Sequence, residues 1–130
     1  MKYVYPAIFT KEDVGYSIDF PDFENCFTSA ETLEEGVEMA NDALCLVLYH
    51  MEEDGQPIPK ASDITKLVHG ENEFTTLIEC DTLEYRKFYD CKAVKKTLSI
   101  PSWLNTMAEK EDVNFSAILQ KALKAELGIA

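Results

Sequence analysis

The stretch "GYSIDFPDFENCFTSAETLEEGVEMANDAL", residues 15–44, changes its hydrophobic period once, and that change decides the fold of the first half of the chain. In "GYSIDF", Tyr16, Ile18 and Phe20 alternate with Ser17 and Asp19, the period of two of a strand with one buried face. Pro21 breaks the alternation, and a polar turn leads to a short strand around Cys26 to Thr28. Thr32 is then followed three residues later by Glu35, the capping-box spacing in which each side chain satisfies an orphan N–H of the other residue. The helix predicted to start there carries Leu33, Val37, Ala40, Leu44, Val47, Leu48 and Met51 at steps of three and four. Gly55, Pro57 and Pro59 stop it. Gly36, in the first turns, should weaken the helix by about 0.5–1 kcal/mol relative to alanine unless something packs closely against it.

Outward from this stretch, "KYVYPAIFT", residues 2–10, is rich in aromatic and β-branched residues and predicts the other arm of a hairpin with residues 16–20. "FTTLIEC", residues 74–80, predicts a fourth strand after a polar segment. The order β-β-β-α-β implies an α+β domain: one antiparallel sheet with a helix packed on one face.

The totals are those of a folded chain. Of 130 residues, 46% are hydrophobic and 28% charged, and Gly and Pro number five each. "MKYVYPAIFT" lacks the apolar run of a signal peptide, and no stretch approaches the roughly 20 apolar residues of a membrane span, so the expected compartment is the cytoplasm. Cys26, Cys45, Cys80 and Cys91 are irregularly spaced, with no CxxC pair, and read as reduced, small apolar residues rather than as metal ligands. No metal or cofactor is expected, and no phosphate-loop, HExxH or GxSxG motif occurs. Charge is uneven: residues 1–91 hold six Lys/Arg against twenty Asp/Glu, whereas residues 92–130 hold six against four. An acidic body suits a basic partner, and the basic tail suits phosphates.

The tail opens on "KAVKKTLSIP", residues 92–101, in which Lys95, Thr97 and Ser99 alternate with Lys96, Leu98 and Ile100. Two helical patterns follow, one from Pro101 with Leu104, Met107 and Ala108, and one with Ile118, Leu119, Ala122 and Leu123 capped by Asn114 or Ser116. A strand and two short helices cannot bury an adequate core alone, so this part should dimerise, strand against strand, across a twofold axis. Trp103 reads as a packing residue.

Two resemblances rest on these residues. "YPAIF", the stretch over residues 15–44 and "MEEDGQPIPKAS", residues 51–62, resemble in order and spacing the N-terminal domain of the HicB antitoxins. That family implies a partial RNase H-like fold that binds and silences HicA, a small RNA-cleaving toxin. "LSIPSWLNTMAEKEDVNFSAILQKAL", residues 98–123, resembles the ribbon-helix-helix domain found at the C-terminus of many HicB proteins. The implied domains are residues 1–81, acidic and toxin-binding, a connector over 82–93 with Tyr85, Phe88 and Tyr89, and residues 94–130, DNA-binding.

In the ribbon-helix-helix fold the ribbon enters the major groove. Carried over, Lys95, Thr97 and Ser99 would face base edges, and the backbone around Asn114, Phe115 and Ser116 would meet a phosphate. Leu98, Ile100, Leu104, Ile118 and Leu119 would form the dimer core, and the short Thr97 and Ser99 imply tandem dimers or tetramers on operator DNA. Asp19, Asp22, Phe23 and Glu24 are the expected toxin contacts. The same carboxylates are the candidates for a metal-dependent nuclease, but they sit on a strand and a turn that need not converge, and Asp22 suits a turn cap. The expected function is therefore an antitoxin and autorepressor that is not an enzyme, with a toxin-independent regulator as the alternative.

Overall fold

The computed structural model describes residues 1–129 and divides into two compact units, Met1–Lys92 and a second from Ala93 onward. The first unit contains strands β1 (Lys2–Lys11), β2 (Tyr16–Asp19) and β3 (Phe27–Ala30), helix α1 (Leu33–Glu53), a 3-10 turn over Ile64–Lys66, strand β4 (Glu73–Asp81) and helix α2 (Thr82–Tyr89). The strands form one antiparallel sheet in the order β3-β2-β1-β4.

Pro6 stands in the middle of β1, an interior strand, which its missing N–H would normally forbid. Register removes the conflict. The Lys11 N–H donates toward the β4 side, to the Asn72 carbonyl at 2.8 Å, so the odd residues of β1 face β4 and Pro6 faces the β2 side. Pairing with β2 begins only at Ile8, so no bond is missing at Pro6.

Tyr5, Ala7, Phe9, Ile18, Ile78 and Cys80 on the sheet meet Ala40, Leu44, Cys45 and Leu48 on α1. The buried face of α1 differs from the expected stripe. Leu33 and Val37 are 44% and 48% exposed, and Gly36 is buried in their place. A Cβ at Gly36 would lie 3.1 Å from the Phe9 ring and 3.4 Å from Ile18 Cδ1, so the helix approaches the sheet along its smallest residue. The helix start is close to expectation: Thr32 accepts from the Glu35 N–H at 3.2 Å, while Glu35 reaches the N–H of Glu31, one residue before the box position.

Helix α2 occupies residues 82–89 of the stretch expected as a connector. Asp81 caps it by accepting from the Leu83 N–H at 3.0 Å, and Thr82, its first residue, is buried. Tyr85 packs on Tyr49 of α1 with ring centroids 5.4 Å apart and helps hold the helix on the first unit, whereas Phe88 and Tyr89 are exposed.

The second unit holds helices α3 (Ser102–Lys110) and α4 (Phe115–Leu127). Residues 90–101 carry no helix or strand, although a strand was expected over 95–100. A strand is defined by a ladder, and this segment meets no second strand in the single chain. Neither α3 nor α4 has a buried residue.

Candidate functional site

Three of the sequence motifs meet at one end of the sheet. Tyr5 of β1 donates its hydroxyl to the Pro59 carbonyl, and Phe23 stands edge-on to Tyr5 with centroids 4.7 Å apart. Asp22 accepts from the Ser62 N–H at 3.1 and 3.2 Å with its two oxygens, and from the Ser62 hydroxyl. The carboxylate thus ties the β2–β3 turn to the segment that follows α1, forty residues away. Asp22 is a tether rather than a cap for its own turn, and half-buried Phe23 is a packing residue.

Of the expected toxin contacts, Asp19 and Glu24 remain exposed. Asp19 pairs with Ile8 and Phe27, on the sheet face away from α1, where Phe27 is 68% exposed. Among the described residues, no group of three His, Cys, Asp or Glu side chains is placed to hold a metal ion. Burial, with Asp19 nearby, pushes the Cys26 thiol up to about 11, away from the thiolate a nucleophile needs.

A polar network missed in the sequence joins the ends of β1, α1 and α2. Glu52 accepts from the Tyr3 hydroxyl at 2.7 Å and from Thr82 Oγ1 at 3.0 Å, and pairs with Arg86 at 3.1 Å. Arg86 also pairs with Glu53 and lies 4.7 Å from the centre of the Tyr49 ring. Burial opposes the charge on Glu52, but hydrogen bonds from Tyr3, Thr82 and Arg86 outweigh it and hold the carboxyl below its ordinary range. Burial and the bond to Glu52 push Tyr3 up to about 12. Its members come from three elements far apart in the chain, so no local pattern announced the network.

In the second unit Lys95, Thr97 and Ser99 are all exposed. Asn114 is the cap of α4, accepting from the Ala117 N–H at 3.0 Å, so its side chain is occupied while the N–H groups of Phe115 and Ser116 remain at the open helix end. Of the expected dimer core, Leu98, Ile100, Leu104 and Ile118 are 58%, 47%, 41% and 54% exposed in the single chain, and Leu119 is half-buried.

Among the described residues these features define an α+β fold in two units, with a four-stranded antiparallel sheet and four α-helices. A family model described as the HicB-like antitoxin of bacterial toxin–antitoxin systems matches residues 5–123, and the chain belongs to that family. It is 36% identical over 58 residues to antitoxin HicB 2 of Photorhabdus laumondii, covering 45% of this chain and 42% of that one. A chain of a solved toxin–antitoxin complex from Streptococcus pneumoniae is 27% identical, with 97% of this chain and 99% of that chain covered and a TM-score of 0.64. The Burkholderia pseudomallei antitoxin HicB shares the fold at 18% identity and a TM-score of 0.56, over 93% of this chain and 96% of that one. No helix among the described residues is long and apolar enough to cross a membrane.

Proposed function

We propose that this chain is the cytoplasmic antitoxin of a toxin–antitoxin pair. Its first unit binds and silences a small RNA-cleaving toxin of the HicA type, and its second unit, as a dimer or tetramer, binds operator DNA and represses the pair. We assign it no catalytic step, cofactor or metal. The observation that carries the antitoxin half is the family match over residues 5–123, supported by a full-length neighbour whose structure is a toxin–antitoxin complex. The strand order with one helix on one face supports a partial RNase H-like reading of the first unit.

Charge supplies the physical reason. A protein that handles RNA carries a basic surface, and twenty Asp/Glu against six Lys/Arg in residues 1–91 complement it, steering association and keeping RNA off the covered face. Affinity capture with the full chain should retain a basic protein of about 10 kDa or less, and its association rate should fall roughly tenfold or more from low to high salt. Equal rates at both salts would remove the electrostatic part. Capture of operator DNA with no small protein would favour the toxin-independent regulator.

The DNA half rests on two amphipathic helices with no buried residue behind the basic run at Lys92, Lys95 and Lys96. A ribbon-helix-helix dimer is the arrangement that covers those helices, gives residues 95–100 a partner strand and turns Lys95, Thr97 and Ser99 outward. Lys95→Ala should weaken DNA binding by about 1–3 kcal/mol. If Lys95 meets a phosphate, the loss is uniform across sequences and the salt slope falls by about one per subunit; if it meets guanine, one base position relaxes. Unchanged affinity and salt slope in electrophoretic or fluorescence titrations would remove Lys95 from the interface.

A further inference from the structure

Strand β4 ends the sheet, and among the described residues its outer side has no neighbouring strand. The ladder shows which of its backbone groups are open. Because Tyr5, Ala7 and Phe9 face β4, their partners Ile78, Thr76 and Phe74 turn their backbone groups inward, and Glu73, Thr75, Leu77 and Glu79 turn theirs outward. Both ends of this outer row are engaged. The Glu73 N–H donates to the Gly70 carbonyl at 3.2 Å, and the Glu79 carbonyl accepts from Asn41 Nδ2 at 2.5 Å. Between them, the N–H and carbonyl of Thr75 and of Leu77 have no partner among the described residues.

Natural edge strands are usually blunted by lysine, proline, a bulge or a covering segment. "EFTTLIECD" contains neither lysine nor proline. A groove of about 500 Å³ runs between it and α1, with exposed Val37 and Leu77 beside Ile78, and with Glu38, Asp42 and Glu79 at its rim. Helix α1 therefore overhangs the place of a fifth strand, with an apolar residue ready on each side of the sheet plane.

Charge decides the occupant. Pairing all of β4 with its own copy about a twofold axis centres on Leu77 and sets Glu73 opposite Asp81 twice, a like-charge pairing that destabilises a ladder. A strand from a basic protein meets no such repulsion. We propose that β4 takes an edge strand of the basic toxin as a fifth strand, bonded to Thr75 and Leu77, with its Lys or Arg side chains reaching Glu38, Asp42 and Glu79. This mode is strand addition, in which main-chain bonds give affinity and the flanking pockets give specificity. It rests on the antitoxin reading above.

The test uses the full chain with the captured toxin. Thr75→Pro removes one outward N–H and sets a ring on the edge, while the ladder to β1 runs through Phe74 and Thr76 and is kept. Toxin binding should weaken at least ~100-fold by calorimetry, with DNA binding and melting temperature unchanged. In the wild-type chain, hydrogen exchange at the Thr75 and Leu77 amides should slow when toxin is added. Native toxin affinity in the variant, with unprotected amides, would overturn the proposal and leave the antitoxin reading standing. Amides already protected in the free chain, more so at higher concentration, would assign the edge to a second copy and overturn it likewise. Should the variant fail to fold, the wild-type amides still decide. No toxin binding by the wild-type chain would remove the antitoxin reading and the proposal with it.

Discussion

Ile100→Asp should leave the second unit monomeric and lower its affinity for operator DNA at least ~100-fold, while toxin binding by the first unit survives. In the single chain Leu98 and Ile100 are 58% and 47% exposed, and α3 and α4 bury nothing of their own. In the proposed ribbon-helix-helix dimer their apolar faces are covered by a second copy. Twofold symmetry brings both copies of residue 100 into the same ribbon, so one substitution places two carboxylates in one apolar interface. The effective penalty for burying an unpaired ion is several kcal/mol each, comparable with everything a module this small can gain from association. Losing the dimer also halves the number of phosphates each molecule neutralises, so affinity falls and the salt slope flattens. Sedimentation and a DNA titration read the two effects separately. The first unit has its own core of Tyr5, Phe9, Ile18, Phe20, Leu44 and Leu48, so capture of the toxin reports that the rest of the chain is intact. A variant that remained dimeric with native DNA affinity would refute the ribbon-helix-helix assignment.

What was legible in the sequence divides along a physical line. Alternation at Tyr16, Ile18 and Phe20, the cap at Thr32 and the stop at Gly55 are local signals, and the strands and helix they announced are present. The face that α1 buries is not local. It depends on which residue lets the sheet approach, and Gly36 does so at the cost of exposing Leu33 and Val37. Asp22 shows the same limit from the polar side. As a residue of a turn it reads as a cap or a surface acid, and only the fold brings it to Ser62. Helix α2 was hidden because its Tyr85 pairs with Tyr49 and its one arginine with Glu52 and Glu53, all on α1. The ribbon over residues 95–100 is the extreme case, since its partner strand would come from another molecule.

Gly15→Ala is the substitution expected to damage the first unit most. Gly15 has φ +79°, in the left-handed region, where an alanine costs roughly 1–2 kcal/mol. A Cβ there would lie 2.1 Å from the Ala30 carbonyl oxygen and 3.0 Å from Glu31 Cα, both backbone atoms. No side-chain rotation relieves such an overlap. Either the Glu12–Gly15 turn, closed by the Glu12 N–H to the Gly15 carbonyl at 3.0 Å, must open, or β3 must withdraw from β2 next to the Tyr16–Ala30 pair. Withdrawing Ala30 also pulls on Thr32, two residues on, which caps α1. The loss should reach about 3–5 kcal/mol, a large part of the 5–15 kcal/mol that ordinarily holds a domain together. At 4–8 °C per kcal/mol for a unit of this size, the first thermal transition should fall by at least ~12 °C. Gly36→Ala makes a discriminating control, because its Cβ meets the Phe9 ring at 3.1 Å but gains helix propensity, so its shift should be small. Equal melting temperatures for Gly15→Ala and the wild-type chain would mean that the β2–β3 edge is free to move away. In that event the sheet would tolerate a far looser attachment of β3 than its register with β2 implies.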